Sequence, residues 1–267
     1  SKYGNKVFLI LPNTAGFNDK ISNFYNIKYR FKLIRLSKFK KFPLGFNYYL
    51  FSLVSFLKAK KVSEFIITRN YFVIFLCCIF NVRCTIELHN DIKNESRIVR
   101  FIFNNFNIFN SKSITKIVCI SHAVKNKYIK DFNLKKNKKI VVLPSGSSLD
   151  IKYKNSLNNK RLNLGYFGTI NPSRGINIIL KLAQMDKQNN YYIFGGSKNQ
   201  VRNLKKRYRL SNLYLNSHLN YKKVQIKISD MDILLMPYSN KVTVSGNVSN
   251  TVKFMSPLKL FDYMSAG

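Results

Sequence analysis

Short apolar runs alternate along the chain with longer segments in which apolar residues recur at helical spacing. The short runs are rich in β-branched residues and lack strict alternation with polar residues, which indicates strands buried on both faces of a parallel sheet. This order of elements predicts an α/β fold with mostly parallel sheets. Strands are predicted at 6–11, 64–68, 83–88, 116–120, 139–143, 163–167, 191–194 and 232–236, and helices at 46–58, 95–109, 122–132, 175–184, 200–209 and 257–265.

A polar stretch divides the pattern into two halves. Residues 152–160 are rich in Lys, Asn and Ser, and the strand and helix patterns restart at Asn163. We therefore predict two domains, 1–155 and 156–267, each with its own core. No apolar run reaches the roughly 18 residues that span a bilayer, and the longest, at 71–80, predicts a buried element.

The net charge of the chain bears on the kind of partner that it binds. The 267 residues include 46 Lys and Arg against 11 Asp and Glu, a formal charge of +35. Such a charge favours an anionic partner, either a nucleic acid, an acidic membrane face or a phosphorylated substrate. The basic residues are scattered through the whole chain, so a general compositional bias explains the charge equally well.

The cysteine and histidine residues indicate which disulfide and metal sites the chain could form. The four cysteines show no CxxC spacing and there are only three histidines. A disulfide framework and a multi-histidine metal site are therefore poor interpretations, and a reducing, cytoplasmic setting is expected. We predict neither a metal site nor a cofactor.

Two segments of the second half are typical of phosphate binding. A predicted strand runs into Gly168, and Arg174 stands at the start of the next helix. Glycine at such a turn lets the backbone approach a phosphate, and an arginine neutralises its charge. A glycine-rich strand-to-helix turn also occurs for steric reasons alone.

The segment 256–264 is the second candidate. Ser256 is a good N-cap and Pro257 is favoured at the first helical position, so the helix is expected to start at Pro257. Its free amide groups and Lys259 then form an anion site, and the carboxylate of Asp262 is available to ribose hydroxyls. An ordinary capped amphipathic helix is the alternative interpretation. One candidate lies in the first half, His89, which follows a predicted strand directly.

Taken together, these residues resemble family 4 glycosyltransferases, which have two Rossmann-like domains in the GT-B architecture. The second half carries five matching blocks in the family's order, and the first half matches more loosely. In the second half these blocks are LGYFGTINPSRGINIILKLA (164–183), YYIFGG (191–196), NLYLNSHLNYKKV (212–224), SDMDILLMPYS (229–239) and SPLKLFDYMSAG (256–267), and in the first half they are TIELHN (85–90), IVCISHAVKNKYI (117–129) and VVLPSGSSLD (141–150).

The resemblance implies a role for several residues. His89 matches the histidine next to the site of sugar transfer, and Arg174 matches the basic residue on the donor diphosphate. Asp262 stands where the family has a ribose-binding glutamate. The other implied donor-binding residues are Gly16 beside the phosphates, Gly195, His218 and Leu219 near the base, and Ser256, Pro257, Leu258 and Lys259 at the diphosphate turn.

The resemblance also implies a reaction and its partners. We expect transfer of a sugar from a nucleoside diphosphate sugar to a glycan or lipid-linked acceptor, with retention of configuration and without a metal, in surface polysaccharide or glycolipid synthesis. A cytoplasmic enzyme, peripheral on the anionic inner membrane face, fits the lysines around the apolar stretch 42–57, although a core helix with solvated lysines explains that stretch too.

Three departures from the family pattern leave alternatives open. Asp262 is one methylene shorter than glutamate, and position 169 is Thr where a basic residue is frequent. The chain ends at Gly267, where the family continues with a strand and a terminal helix, so we expect an incomplete second domain. An inactive nucleotide-binding remnant and a basic nucleic-acid-binding protein are the competing hypotheses, but no nucleic-acid-binding motif supports the latter.

Overall fold

The computed structural model of the chain describes residues 4–13, 31–37, 44–134, 139–147, 160–238 and 252–266. The chain divides into two compact units. The first contains the described residues up to 144 together with 253–256, and the second contains the described residues of 145–252 and 257–266. The predicted domain boundary after residue 155 lies outside the described residues and stays a prediction.

The first unit is built on parallel strands. Its larger sheet has the order β3-β4-β5-β6, and β4 and β5 shift register after Cys84. A second sheet pairs β1 and β2, also in parallel. The strands are β1 (Phe8–Pro12), β2 (Lys32–Leu36), β3 (Phe65–Thr68), β4 (Arg83–Leu88), β5 (Ile114–Cys119) and β6 (Ile140–Val142).

Several helices of the first unit begin at polar caps. Asn70 accepts hydrogen bonds from two amide groups of the first turn that follows it, and Ser121 accepts one from Val124. Such caps satisfy amide groups that have no partner inside the helix. The long apolar run at 71–80 forms a helix with five buried side chains, which confirms the predicted buried element. The helices are α1 (Leu44–Val62), α2 (Tyr71–Ile79), α3 (Arg97–Asn105) and α4 (His122–Phe132).

The second unit has a four-stranded parallel sheet in the order β10-β7-β8-β9. Its core contains Tyr166, Ile179 and Ile193, which are fully buried. The strands are β7 (Asn163–Phe167), β8 (Asn190–Phe194), β9 (Leu213–Asn216) and β10 (Ile233–Leu234), and the helices are α5 (Ile176–Met185), α6 (Lys198–Arg207), α7 (Tyr221–Ile228) and α8 (Leu258–Met264).

The predicted α/β class with parallel sheets is confirmed, and several element bounds differ from the prediction. The helix expected at 95–109 covers only Arg97–Asn105, because Ser96 caps its start and Phe106 takes an extended backbone. The strands β2 and β9 and the helix α7 were not predicted. In the part of the chain that the structure describes, no helix is both long and apolar enough to cross a membrane.

Candidate functional site

The turns that follow β7, β8 and β10 meet at one edge of the second unit's sheet. Because the strands are parallel, their carboxyl ends share this edge, where open α/β sheets bind ligands. The Gly168 amide donates a hydrogen bond to the Phe194 carbonyl oxygen at 2.9 Å, and the Gly195 amide donates to that of Asn216 at 2.9 Å. These bonds fix the turns side by side.

Lys259 extends its side chain into this edge. Its ammonium nitrogen lies 3.8 Å from the ring centroid of Tyr166 and 5.4 Å from that of Tyr238. The nitrogen is removed from solvent and has no hydrogen-bond partner among the residues that the structure describes. A buried ammonium needs compensation, and the faces of two aromatic rings supply only part of it. The hydrogen-bonding capacity of the ammonium is therefore unsatisfied within the described residues.

Gly168 makes room for the ammonium. It has a φ of +156°, and a Cβ atom built there would lie 2.3 Å from the Lys259 Nζ. Any side chain at this position would therefore push the lysine out of its place. The glycine predicted from the strand-to-helix turn has this local role.

The environment of Lys259 changes its protonation. Burial, followed by the nearby Arg174 guanidinium, lowers the pKa of Lys259 from 10.5 to about 7. Both causes penalise the charged form, and an anion bound beside the ammonium would favour it again. The site is therefore poised to accept negative charge.

Arg174 also lies over the ring of Tyr238. Its guanidinium carbon is 5.1 Å from the Tyr238 ring centroid. Gly175 follows in the left-handed conformation, with a φ of +76°, and a Cβ atom built there would lie 1.5 Å from the Pro237 carbonyl oxygen. Only glycine allows this contact, which holds Arg174 beside the segment that carries Tyr238.

Lys259, Arg174, Tyr166 and Tyr238 together form what we call the cationic cluster. Within the described residues, no acidic side chain forms an ion pair with either cation. Two cations without an ion-pair partner among the described residues, one of them buried, suit an anionic group such as a diphosphate. The cluster brings together two residues that the sequence singled out separately.

Asp262 lies on the same helix as Lys259, and its carboxylate is engaged. The Ser147 hydroxyl donates a hydrogen bond to its Oδ1 at 2.7 Å, and Ser265 donates to its backbone oxygen. Burial raises the pKa of Asp262, and the bond from Ser147 lowers it. The carboxylate thus already binds a hydroxyl, the chemistry predicted for a ribose.

The start of α8 differs from the prediction. The helix begins at Leu258, its N-cap is Pro257, and no side chain caps it. The expectation that Ser256 caps a helix starting at Pro257 is therefore wrong. The reason is the ψ of 106° at Pro257, which keeps this residue extended and outside the helix.

The residues predicted near the base occupy neighbouring turns. Gly195 packs against the backbone of Gly168, and the His218 amide donates to the Gly196 carbonyl oxygen at 3.2 Å. The His218 side chain is exposed, whereas Leu219 packs against the apolar cluster around Phe167 and Phe194.

The catalytic candidate belongs to the first unit. His89 directly follows β4, at the carboxyl edge of that unit's sheet. Its Nε2 lies 2.9 Å from Glu87 Oε1, within ion-pair distance but without hydrogen-bond alignment. Gly16 lies outside the described residues. A search of the described residues finds no group of three or more His, Cys, Asp or Glu side chains that fits a metal ion.

Sequence reasoning missed Tyr166, Tyr238 and Ser147. Tyr166 is fully buried in β7 and has the pattern of a core residue. Tyr238 stands just after a strand end, a position that is itself a signal for ligand contact. Ser147 is 115 positions from Asp262, and nothing local predicts their hydrogen bond.

Comparison with known proteins gives a likeness of fold. No family model matches the chain, and no curated protein matches it in sequence. Among solved structures, sucrose-phosphate synthase from Thermosynechococcus elongatus matches with a TM-score of 0.61 and 13% identity over 89% of this chain and 68% of its own. The lipopolysaccharide outer core galactosyltransferase WaaB, in its apo form, matches with a TM-score of 0.58 and 14% identity over 98% and 78%.

A third solved structure carries ligands. Anabaena HepE in complex with UDP and glucose matches with a TM-score of 0.53 and 12% identity over 77% of this chain. The chain spans 61% of the length of HepE. At these identities the comparisons show the fold alone, and this is the GT-B fold of glycosyltransferases, with two Rossmann-like domains.

Proposed function

We propose that the chain is a glycosyltransferase of the family 4 type that takes its sugar from a nucleoside diphosphate donor. The observation that carries this proposal is the cationic cluster, with its buried, unpartnered Lys259 ammonium, at the carboxyl edge of a Rossmann-like unit. The likeness of fold to glycosyltransferases supports it, as does the UDP bound to HepE.

The cluster fits the charge change of such a reaction. The bond between the anomeric carbon of the sugar and the diphosphate oxygen breaks, and the electron pair stays on the diphosphate. Lys259 and Arg174 stabilise the negative charge that develops there, in a site shielded from water. This positive charge is supplied by side chains, so we propose that the transfer needs no metal.

The remaining donor contacts are proposed from the family resemblance of the candidate residues. Asp262 exchanges its bond with the Ser147 hydroxyl for bonds with the ribose hydroxyls. The backbone at Ser256, Pro257 and Leu258 faces the phosphates. We also propose that Gly16, which is outside the described residues, contacts the phosphates, and that Gly195, His218 and Leu219 contact the base.

We propose that the first unit positions the reacting hydroxyl of the acceptor. A hydroxyl oxygen of the acceptor bonds to the anomeric carbon, its proton leaves, and the products are the glycoside, the nucleoside diphosphate and a proton. We propose retention of configuration, with His89 orienting the transferred sugar or the acceptor hydroxyl. The Glu87 carboxylate lies beside the His89 ring.

The acceptor class and the location are also part of the proposal. A glycan or a lipid-linked sugar is the acceptor, in synthesis of a surface polysaccharide or glycolipid. The net charge of +35 favours docking on an anionic inner membrane face. The cysteine spacing predicts no disulfide framework, which favours a cytoplasmic location.

A donor assay tests the proposed function. Purified protein is incubated with UDP-, GDP-, ADP- and CMP-sugars and a mixture of glycan acceptors, and release of nucleotide and labelled product is followed. One donor class is expected to react. Lys259→Met is expected to abolish release, whereas the exposed Lys181→Met on α5 serves as the matched control. Nucleotide binding without any transfer would contradict the catalytic proposal and favour the inactive nucleotide-binding remnant.

A further inference from the structure

A second cationic feature of the second unit lies along α6. An open groove of about 570 Å³ runs between this helix and the edge strand β9. Two apolar side chains, Val201 and Leu215, contribute to its lining. Its charged lining, which defines what we call the α6 groove, consists of Lys198, Arg202, Lys205, Lys206 and Arg209.

The spacing of the cations makes the α6 groove linear. Lys198, Arg202 and Lys206 recur every fourth residue, so they share one face of the helix. With a rise of 1.5 Å per residue, the helix carries these charges over roughly 12 Å. A single phosphate reaches only one part of such a row. An extended anion with several charges along its length reaches all of it.

The α6 groove carries no compensating negative charge. Of the described residues that line it, none is acidic, and none of the five cations forms an ion pair within the described part of the chain. Like charges four residues apart on a helix repel one another. An anionic ligand would relieve this repulsion.

The direction of the α6 groove links it to the proposed reaction. Lys198 starts the helix that follows β8, so it lies near the carboxyl edge of the sheet, together with Asn216 and Ser217 of the lining. Arg209 lies beyond the other end of the helix. A polymer in the groove would therefore have one end at the edge that carries the cationic cluster.

We propose that the α6 groove binds an extended glycan that carries carboxylate or phosphate groups along its length. This inference rests on the proposed function, because it takes the glycan as the acceptor or product of that reaction. Among the described lining residues there is no aromatic side chain on which nucleic acid bases would stack.

Binding of oligogalacturonate, an anionic glycan, tests the inference. The groove variant is Arg202→Gln/Lys206→Gln/Arg209→Gln, and its matched control is Lys181→Gln/Lys222→Gln/Lys223→Gln. Both lose three exposed positive charges, but the control residues lie outside the groove. Fluorescence anisotropy at several salt concentrations gives the affinity and its salt dependence.

The groove variant is expected to bind oligogalacturonate about tenfold more weakly. The slope of log affinity against log salt concentration is expected to be smaller by about 2 in magnitude, because fewer charge contacts release fewer counterions on binding. The control variant is expected to change little, and an uncharged maltooligosaccharide is expected not to bind. An equal loss in both variants would overturn the inference, as would groove-dependent binding that is tighter for single-stranded DNA or anionic vesicles.

Titration with nucleoside diphosphates separates this inference from the proposed function. The groove variant keeps the cationic cluster, so its nucleotide affinity is expected to stay unchanged. Loss of nucleotide binding in the native protein, with groove-dependent glycan binding intact, would refute the proposed function alone. Normal nucleotide binding without groove-dependent glycan binding would refute the inference alone.

Discussion

The low pKa of Lys259 predicts that nucleotide affinity depends steeply on pH. The ammonium must be protonated to bind a diphosphate, and its pKa in the free protein is about 7. Apparent affinity scales with the fraction of protein in the competent state. Raising the pH from about 6.5 to about 8.5 lowers the protonated fraction about 25-fold, so the affinity falls by about the same factor.

The variant Lys259→Met isolates this effect. Methionine keeps an unbranched side chain of similar length and removes the titrating charge. The nucleotide's own terminal phosphate titrates near pH 6, but it does so equally in both proteins. The ratio of wild-type to variant affinity therefore reports Lys259 alone, and it is expected to be large at pH 6.5 and to shrink as the pH rises.

Isothermal titration calorimetry measures both the affinity and the proton uptake. Titrations in buffers of different ionisation enthalpy are expected to show net uptake of up to one proton near pH 8 in the wild type. The variant is expected to lack this uptake. A pH profile that is the same in both proteins would refute the assignment of the diphosphate to Lys259.

Four further predictions follow from the same contacts. First, Lys259→Met is expected to be more stable than the wild type at pH 6.5, by about 3 kcal/mol in denaturant unfolding, because it removes a buried charge. The folded pKa of Lys259 lies below its unfolded value of 10.5. Titration of this group therefore raises the free energy of unfolding between about pH 7 and 10 in the wild type only. Second, Gly168→Ala is expected to displace the ammonium and weaken nucleotide binding at least about tenfold in calorimetry, since loss of a charged hydrogen bond has this order of effect; unchanged affinity would show that the space beside Lys259 is not needed. Third, Asp262→Asn is expected to reduce the preference for ribonucleoside over dideoxyribonucleoside diphosphates about tenfold in competition binding, and a preference that survives would place the ribose elsewhere. Fourth, His89→Ala is expected to slow sugar transfer about 100-fold in the donor assay while nucleotide affinity stays constant, and parallel loss of both would indicate a folding defect.

The fold was predictable where local signals agree with the tertiary structure. The bounds of β4, β7 and α4 match the prediction, because short apolar runs mark the two strands and a Ser121 cap marks the helix. The strand β2 (KLIRL) escaped prediction because its Lys and Arg residues interrupt the apolar run. The strand β9 is short and half-exposed, so its pattern is weak.

The candidate site was predictable only in part. Arg174 and Lys259 stand in turn and helix-start contexts that are typical of phosphate binding. Their meeting at Tyr238, and the burial of Lys259 against Tyr166, depend on how the turns after β7 and β10 pack together. The predicted Ser256 cap failed because local propensity at Pro257 allows both an extended and a helical backbone.

The cationic cluster is proposed to bind a nucleoside diphosphate. The most direct test is calorimetric titration of the wild type and Lys259→Met with UDP, GDP, ADP and CMP at pH 6.5 and moderate salt. One nucleoside diphosphate is expected to bind selectively, and the variant is expected to bind it at least about tenfold more weakly. Equal, salt-sensitive binding of all four nucleotides in both proteins would contradict the claim.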